Sequence, residues 1–238
     1  MTQFISKQLE AQANNEQALK MLLTAEKLLI EIFLSLSSVD LPEHFENNLG
    51  EWMKQFDALL KYNTKHTALL DGKDEDSPGL LTKIKAVIFE TVKLYTEKYD
   101  EETEEYVKVF VKDAWTVLGT LKNEPAYDVL ATAAIRFLTA VSSTTQHTLL
   151  KERATLEQIC NQIILPNLQL RDNEEEMFEY EGLEYIRMDT EGSDVDSRRR
   201  AACDLVRGLR RYSEDTVTQL YGAQLQHMLT EYTNNKAL

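Results

Sequence analysis

An all-α fold of stacked helix pairs is what this 238-residue sequence predicts, and three observations carry the prediction. Turn formers are scarce, with 8 Gly and 4 Pro, too few for the many turns of an all-β chain. The strong helix formers Leu, Ala, Glu, Lys and Gln recur throughout. Apolar residues return at steps of three and four over almost the whole length, which is the period of a helix with one buried stripe. The chain is long enough to bury a sizeable core. Its net charge of −14 opposes the phosphate neutralisation that nucleic-acid binding needs and favours basic protein surfaces as partners.

In chain order, residues 2–12 read as a partial helix that Asn14 and Asn15 break. The helix that follows, to about Ser37, is apolar nearly all round through Leu19, Met21, Leu22, Leu23, Leu28, Ile30, Ile32, Phe33 and Leu36, which calls for neighbours on several sides. Pro42 suits the first turn of the next helix, where its missing N–H would be unpaired in any case. Phe45, Leu49, Trp52, Phe56, Leu59 and Leu60 form its stripe. Residues 63–78 hold Asp71, Gly72, Asp74, Glu75, Asp76 and Pro78 and read as a loop. From Leu80 the stripe resumes at Leu81, Ile84, Val87, Ile88 and Tyr95, and the next helix carries Val107, Phe110, Val111, Ala114, Leu118 and Leu121 with Trp115 beside them. Asn123 and Pro125 turn the chain into the face Leu130, Ala133, Ala134, Phe137, Leu138 and Val141. Leu156, Ile159, Cys160, Ile163 and Leu168 mark a further helix, which Pro166 should kink or close. The last two faces are Ala201, Ala202, Leu205, Val206 and Leu209, then Val217, Leu220, Tyr221, Leu225, Met228, Leu229 and Tyr232. Trp52, Phe56, Trp115, Phe137 and Leu205 are expected to lie buried between helices.

The helices form two alternating classes, one beginning near Pro42, Glu102, Ala154 and Glu214, the other near Asn15, Leu80, Ala126 and Asp196. Members of the first class start roughly 50 to 60 residues apart, longer than the ~40 to 47 of HEAT or armadillo units, and two inserted loops account for most of the excess. Each pair has too little apolar surface to fold alone, so stacking would create one core along a solenoid of about four repeats over residues 1–238. Neither end reads as a polar capping repeat, and a piece of a longer solenoid is expected.

One stretch breaks this regularity. From Arg171 the chain reads RDNEEEMFEYEGLEYIRMDTEGSDVDSRRRAACDLVRGLRR. Its acidic part contains Glu174, Glu175, Glu176, Glu179, Glu181, Glu184, Asp189, Glu191, Asp194 and Asp196, and Arg198, Arg199 and Arg200 follow. Gly182 and Gly192 would each cost about 1 kcal/mol inside a helix, so residues 171–195 are expected to be an inserted, partly ordered acidic loop. Asp196 or Ser197 should cap the helix after it. Arg200, Arg207 and Arg211 stand at steps of seven and four, within about 20° of one line on that helix. They face away from Ala202, Leu205, Val206 and Leu209, and Asp204 lies among them. Three arginines in a first turn oppose the helix dipole, so an acidic group should offset them, either the acids just upstream folded back as a latch or an acidic partner. The acidic tract and the arginines are the candidate partner-binding residues.

Catalysis and metal binding are not expected. His44, His66, His147 and His227 are scattered without carboxylate or cysteine at ligand spacing, and there is no Gly-rich phosphate loop, GxSxG or HExxH. The run at Asp71 lacks the spacing of a calcium loop. Cys160 and Cys203 read as reduced core residues. The most apolar run, Leu28 to Leu36, is too short and too charged to span a bilayer. On residues alone, a general scaffold such as a phosphatase regulatory subunit stands beside a transport receptor.

The segment LEYIRMDTEGSDVDSRRRAACDLVRGL, from Leu183, closely resembles a stretch of the CAS-type importin-α exporters of the importin-β (karyopherin) family. Similarity extends to DLPEHFENNLGEWMKQFDALL at Asp40, EKYDEE at Glu97, and IILPN near Ile163 followed by the acidic tract. Met188 within YIRMD and Arg210 and Arg211 after VRGL depart from the pattern as orthologues ordinarily do. The resemblance implies a right-handed superhelix of HEAT repeats and an interior portion of a receptor roughly four times longer. It implies nuclear export of importin-α with RanGTP, shuttling between nucleus and cytoplasm, no catalysis and no cofactor. The expected partners are importin-α, RanGTP with part of its site outside this chain, and nuclear pore proteins, with no nucleic acid and no membrane insertion. The acidic insertion would lie where Ran and cargo approach.

Overall fold

Asn15 opens the first long helix, α1 (Glu16–Val39): its Oδ1 accepts from the N–H of Ala18 at 3.1 Å, which satisfies one of the free donors of a first turn. The computed structural model describes residues 8–9, 11–64, 66, 76–190 and 197–235, and no β-strand occurs among them. The expected partial helix at 2–12 and the expected loop at 63–78 lie mostly outside the described residues. At the other end of α1, Lys98 Nζ donates to the carbonyls of Ser38 and Val39 at 2.9 and 2.8 Å, a cation where the helix dipole is negative.

Contrary to the expectation of neighbours on several sides, α1 buries one face only. Leu19, Leu23, Ile30 and Phe33 are fully covered, whereas Met21, Leu28, Ile32 and Leu36 are at least half exposed. Phe33 is the hub of this end of the core. Its ring lies 4.5 Å from Phe45, 4.3 Å from Trp52, 5.6 Å from Phe56 and 5.4 Å from Tyr95. Phe45 belongs to a short helix, α2 (Glu43–Glu46), and Trp52 and Phe56 to α3 (Leu49–Lys61). The single helix read after Pro42 is thus divided at Asn47 and Asn48, whose residue type favours turns, and Pro42 caps the short piece rather than entering it.

The next helices are α4 (Leu80–Lys98), α5 (Asp100–Thr120) and α6 (Asp128–Ser143). Helix α4 lies between α1 and α6, and α6 between α4 and the first half of the last helix, so α4 and α6 are buried on most sides. This is one layer. The other holds α3, α5 and α7 (Arg153–Ile159), the last continued by a π-helical turn over Cys160–Ile164 into α8 (Leu165–Leu168). The π turn precedes Pro166, and Leu165 donates back to Cys160 O. One extra residue in that turn moves the carbonyls ahead of Pro166 out of the path of its ring, and the helix then closes at Leu168, as expected. Lys61 joins α3 to α5, pairing with Asp57 and lying 3.6 Å from Asp113 Oδ1; burial pushes the Asp113 carboxyl up to about 6.

Phe56, Phe137 and Leu205 are buried as expected, while Trp52 and Trp115 are half-buried at the edge of the core. Cys160 is buried and its thiol is pushed up by desolvation, which makes it unreactive. Cys203 is half-exposed rather than a core residue.

Candidate functional site

From Asp172 to Thr190 the acidic stretch is helical but for a break at Glu181, which corrects the expected loop over those residues, and residues 191–195 of the expected loop lie outside the described residues. The helical part forms α9 (Asp172–Tyr180) and α10 (Gly182–Thr190). Gly182 carries little cost because it stands first in α10 rather than in a helix interior. Glu174 fixes the start of α9 by accepting the Arg171 N–H through Oε2 at 2.9 Å, one half of a capping box. Asp172, Glu174 and Glu175 occupy the first turn, where the dipole favours negative charge. Phe178 and Tyr185 meet edge to face at 5.5 Å between the two helices. No described side chain of α9 or α10 is buried.

The last helix, α11 (Arg198–Asn234), begins at Ser197, whose side chain accepts from the Arg200 N–H at 3.1 Å. Of the two residues expected as caps, Ser197 is the one used. Ser213 (φ −140°, ψ 39°) breaks the helical geometry and divides α11 into the two helices read from the sequence. Gly208, in the first half, lies so close to α6 that an added Cβ would sit 2.3 Å from Ser142 Oγ. In the second half Val217 is buried, but Leu225, Met228, Leu229 and Tyr232 stay exposed.

Two arginines and one carboxylate hold the insertion to the solenoid. Arg171 reaches Asp128 at the start of α6 through both terminal nitrogens, at 3.0 and 2.5 Å, the planar two-bond geometry that guanidinium and carboxylate favour. Arg198 Nε donates to the same Asp128 at 2.5 Å, and its Nη2 donates to the carbonyls of Lys122 and Glu124 at 3.1 Å. Arg198 is 7 % exposed. Burial draws its pKa below the ordinary arginine value, Asp128 opposes that, and the Arg171 charge adds to it. Arg199 donates to Glu174 Oε1 at 2.8 Å and to the Tyr185 hydroxyl at 2.9 Å, so it ties α11 to both insertion helices.

Each arginine of the first turn therefore meets an acid or a polar acceptor, as the dipole argument requires. The partners among the described residues are these. Arg198 takes Asp128, Arg199 takes Glu174, and Arg200 lies 3.7 Å from Asp204, which also binds Arg207 at 2.5 Å. The pairing of Asp204 with both neighbours is the one expected. Arg211 lies 5.9 Å over the Tyr212 ring, which stacks on His147 at 4.0 Å. Glu175, Glu176, Glu179, Glu181 and Glu184 point to solvent, with Arg187 only 3.9 Å from Glu184. The Asp189 side chain, Glu191, Asp194 and Asp196 lie outside the described residues. Asp128, Arg171 and Tyr185 are the contributors missed in the sequence. The one available signal was Arg171, a lone cation at the head of an acidic run.

Among the described residues no group of three or more His, Cys, Asp or Glu could hold a metal ion. No described helix is long and apolar enough to cross a membrane.

The sequence profile described as Cse1 matches residues 1–238. Exportin-2 of Dictyostelium discoideum is 41% identical over 227 residues, which is 95% of this chain and 24% of that protein. Exportin-2 of Homo sapiens is 42% identical over the same length, 95% of this chain and 23% of its own. A solved structure described as the exportin Cse1 in its cargo-free, cytoplasmic state superposes with a TM-score of 0.90 at 33% identity, covering 98% of this chain and 25% of that one. The chain thus spans about a quarter of the length of the relatives it matches. Its two helical layers have the α-α superhelical fold of that structure.

Proposed function

This chain belongs to the Cse1 family, and on that premise we propose that it is one section of a nuclear export receptor that returns importin-α to the cytoplasm with RanGTP. The observation that carries the reading is the correspondence to exportin-2 along 95% of the chain. The section comprises about four HEAT repeats with an insertion at 171–195, and the whole receptor shuttles through the pore by contacts with nuclear pore proteins. It performs no chemistry of its own.

Within the section, the insertion is the partner-facing element. Glu174, Arg198 and Arg199 position it, and the outward carboxylates of Glu175, Glu176, Glu179, Glu181 and Glu184 meet a basic surface, with Ran favoured over importin-α. Arg200, Arg207 and Arg211 offer the opposite charge on the neighbouring helix. Attraction of this kind fades beyond about 8 Å at physiological salt, so it acts on encounter more than on the final complex. The test uses the full-length receptor. Importin-α should be retained on it with Ran·GTP and released with Ran·GDP, and deleting residues 172–190 should slow association most at low ionic strength. Cargo retention indifferent to the nucleotide overturns the export reading; association rates unchanged by the deletion at every salt concentration overturn the role of the insertion.

A further inference from the structure

A second charged surface lies away from the insertion, in the layer of α3, α5 and α7. Between α5, the Thr145–Leu149 turn and α7 runs a cleft of about 420 Å³. One face of α5 supplies Lys108, Val111, Lys112 and Trp115, the steps of a single helical stripe, and Leu149 and Gln158 close the other side. The Trp115 indole N–H donates to Gln162 Oε1 at 3.1 Å, which fixes the half-buried ring at the cleft. Lys108 and Lys112 are exposed and have no ion pair among the described residues. Lys27, Lys61 and Lys93, on other helices, each pair with an acid four residues away, yet Glu104 makes no such pair with Lys108.

The lining is therefore opposite in sign to the molecule. In a chain with 40 acidic and 26 basic side chains, the described lining of this cleft contains two cations and no carboxylate. Helix α5 packs against the Thr145–Leu149 turn and against the π-helical turn that continues α7, so the walls of the cleft all belong to this chain. We propose that this cleft between α5 and α7 binds an acidic peptide segment of a partner protein that carries one bulky apolar side chain. The apolar side chain lies against Trp115, Val111 and Leu149, and flanking carboxylates meet Lys108 and Lys112. A nucleic acid could also stack a base on Trp115, but two lysines on a chain of net charge −14 are a poor match for a run of phosphates. The proposal stands whether or not the export reading does.

The experiment measures fluorescence anisotropy of labelled probes titrated with the 238-residue chain. A short Asp/Glu-rich peptide with one Phe should bind saturably, and more weakly as salt is raised. Replacing its Phe by Ala, or its acids by Lys, should abolish binding. Lys108→Glu with Lys112→Glu should weaken it by about tenfold or more with the melting temperature unchanged, since both side chains are exposed. Trp115→Ala should weaken it as well. No saturable binding, equal binding by the double variant, or equal affinity for the Lys-rich peptide or a U-rich oligonucleotide would each overturn the proposal.

Discussion

Glu26 is a carboxyl group 1 % exposed, with no hydrogen-bond partner for either oxygen among the described residues. Burial pushes it up to about 7, against an ordinary value of 4.5. The folded chain then keeps a proton that the unfolded chain has released, so stability falls as pH rises from 4.5 to about 7 and is level above. Glu26→Gln should leave stability unchanged near about pH 4 and raise it by roughly 1–3 kcal/mol near about pH 8, measured by urea unfolding at both pH values. Parallel curves for the variant and the parent would show that Glu26 does not titrate in this range. Asp128 is the opposite case, a carboxylate with two guanidinium partners. Asp128→Ala leaves the buried Arg198 with only its two carbonyl acceptors. The expected loss is about 2–3 kcal/mol, less than the ~3–5 of a broken, fully buried pair. Urea unfolding checks this too; a loss below about 0.5 kcal/mol would make the pair no more than a surface contact.

Among elements, α6 and α11 approach so closely because Gly208 has no side chain facing Ser142. Gly208→Ala gains helix propensity but drives a methyl group into Ser142 Oγ, which is buried and donates to Thr139 O at 2.7 Å. Overpacking should win, with a net loss of about 1–3 kcal/mol, and Ser142→Gly in the same chain should recover part of it, as a double-mutant cycle would show. The insertion helices contrast with this pair. Nine residues each and no described buried side chain place them below the length at which isolated helices persist in water, and among the described contacts Arg199 is the one that ties both of them to α11. Arg199→Ala should abolish amide-exchange protection in α9 and α10 while the melting temperature of the solenoid hardly moves. Protection that survives would assign the helices another anchor. These elements also divide what the sequence made legible from what it did not. The Ser197 cap and the Asp204 pairs span three or four residues, and local spacing was enough to read them. Asp128 meets Arg171 and Arg198 across 43 and 70 residues, a distance no local pattern reports. For the same reason the Gly-punctuated acidic run read as a loop: the side chain that ties both of its helices comes from α11.

For the whole molecule, stacking in two layers means that each helix touches only its neighbours, so damage should stay local. Phe56→Ala opens a cavity beside Phe33 at a cost of about 3–5 kcal/mol. Hydrogen exchange should rise in α1, α3 and α4 and remain unchanged around Leu205; a uniform rise would mean that the chain unfolds as one unit. The sequence conveyed this architecture because core stripes repeat with the helix period, whereas the uncovered apolar faces of α1 and the end of α11 had the same period and read as core. The grip of Asp128 has a further effect at this scale. It holds Arg171 before the insertion and Arg198 after it, so both ends are fastened to the solenoid independently of the residues between. A protease that cuts between residues 181 and 197 would leave two pieces that remain together, and a foreign sequence spliced there would ride as a passenger. Asp128 thereby marks a place where the polypeptide can be reopened without being undone.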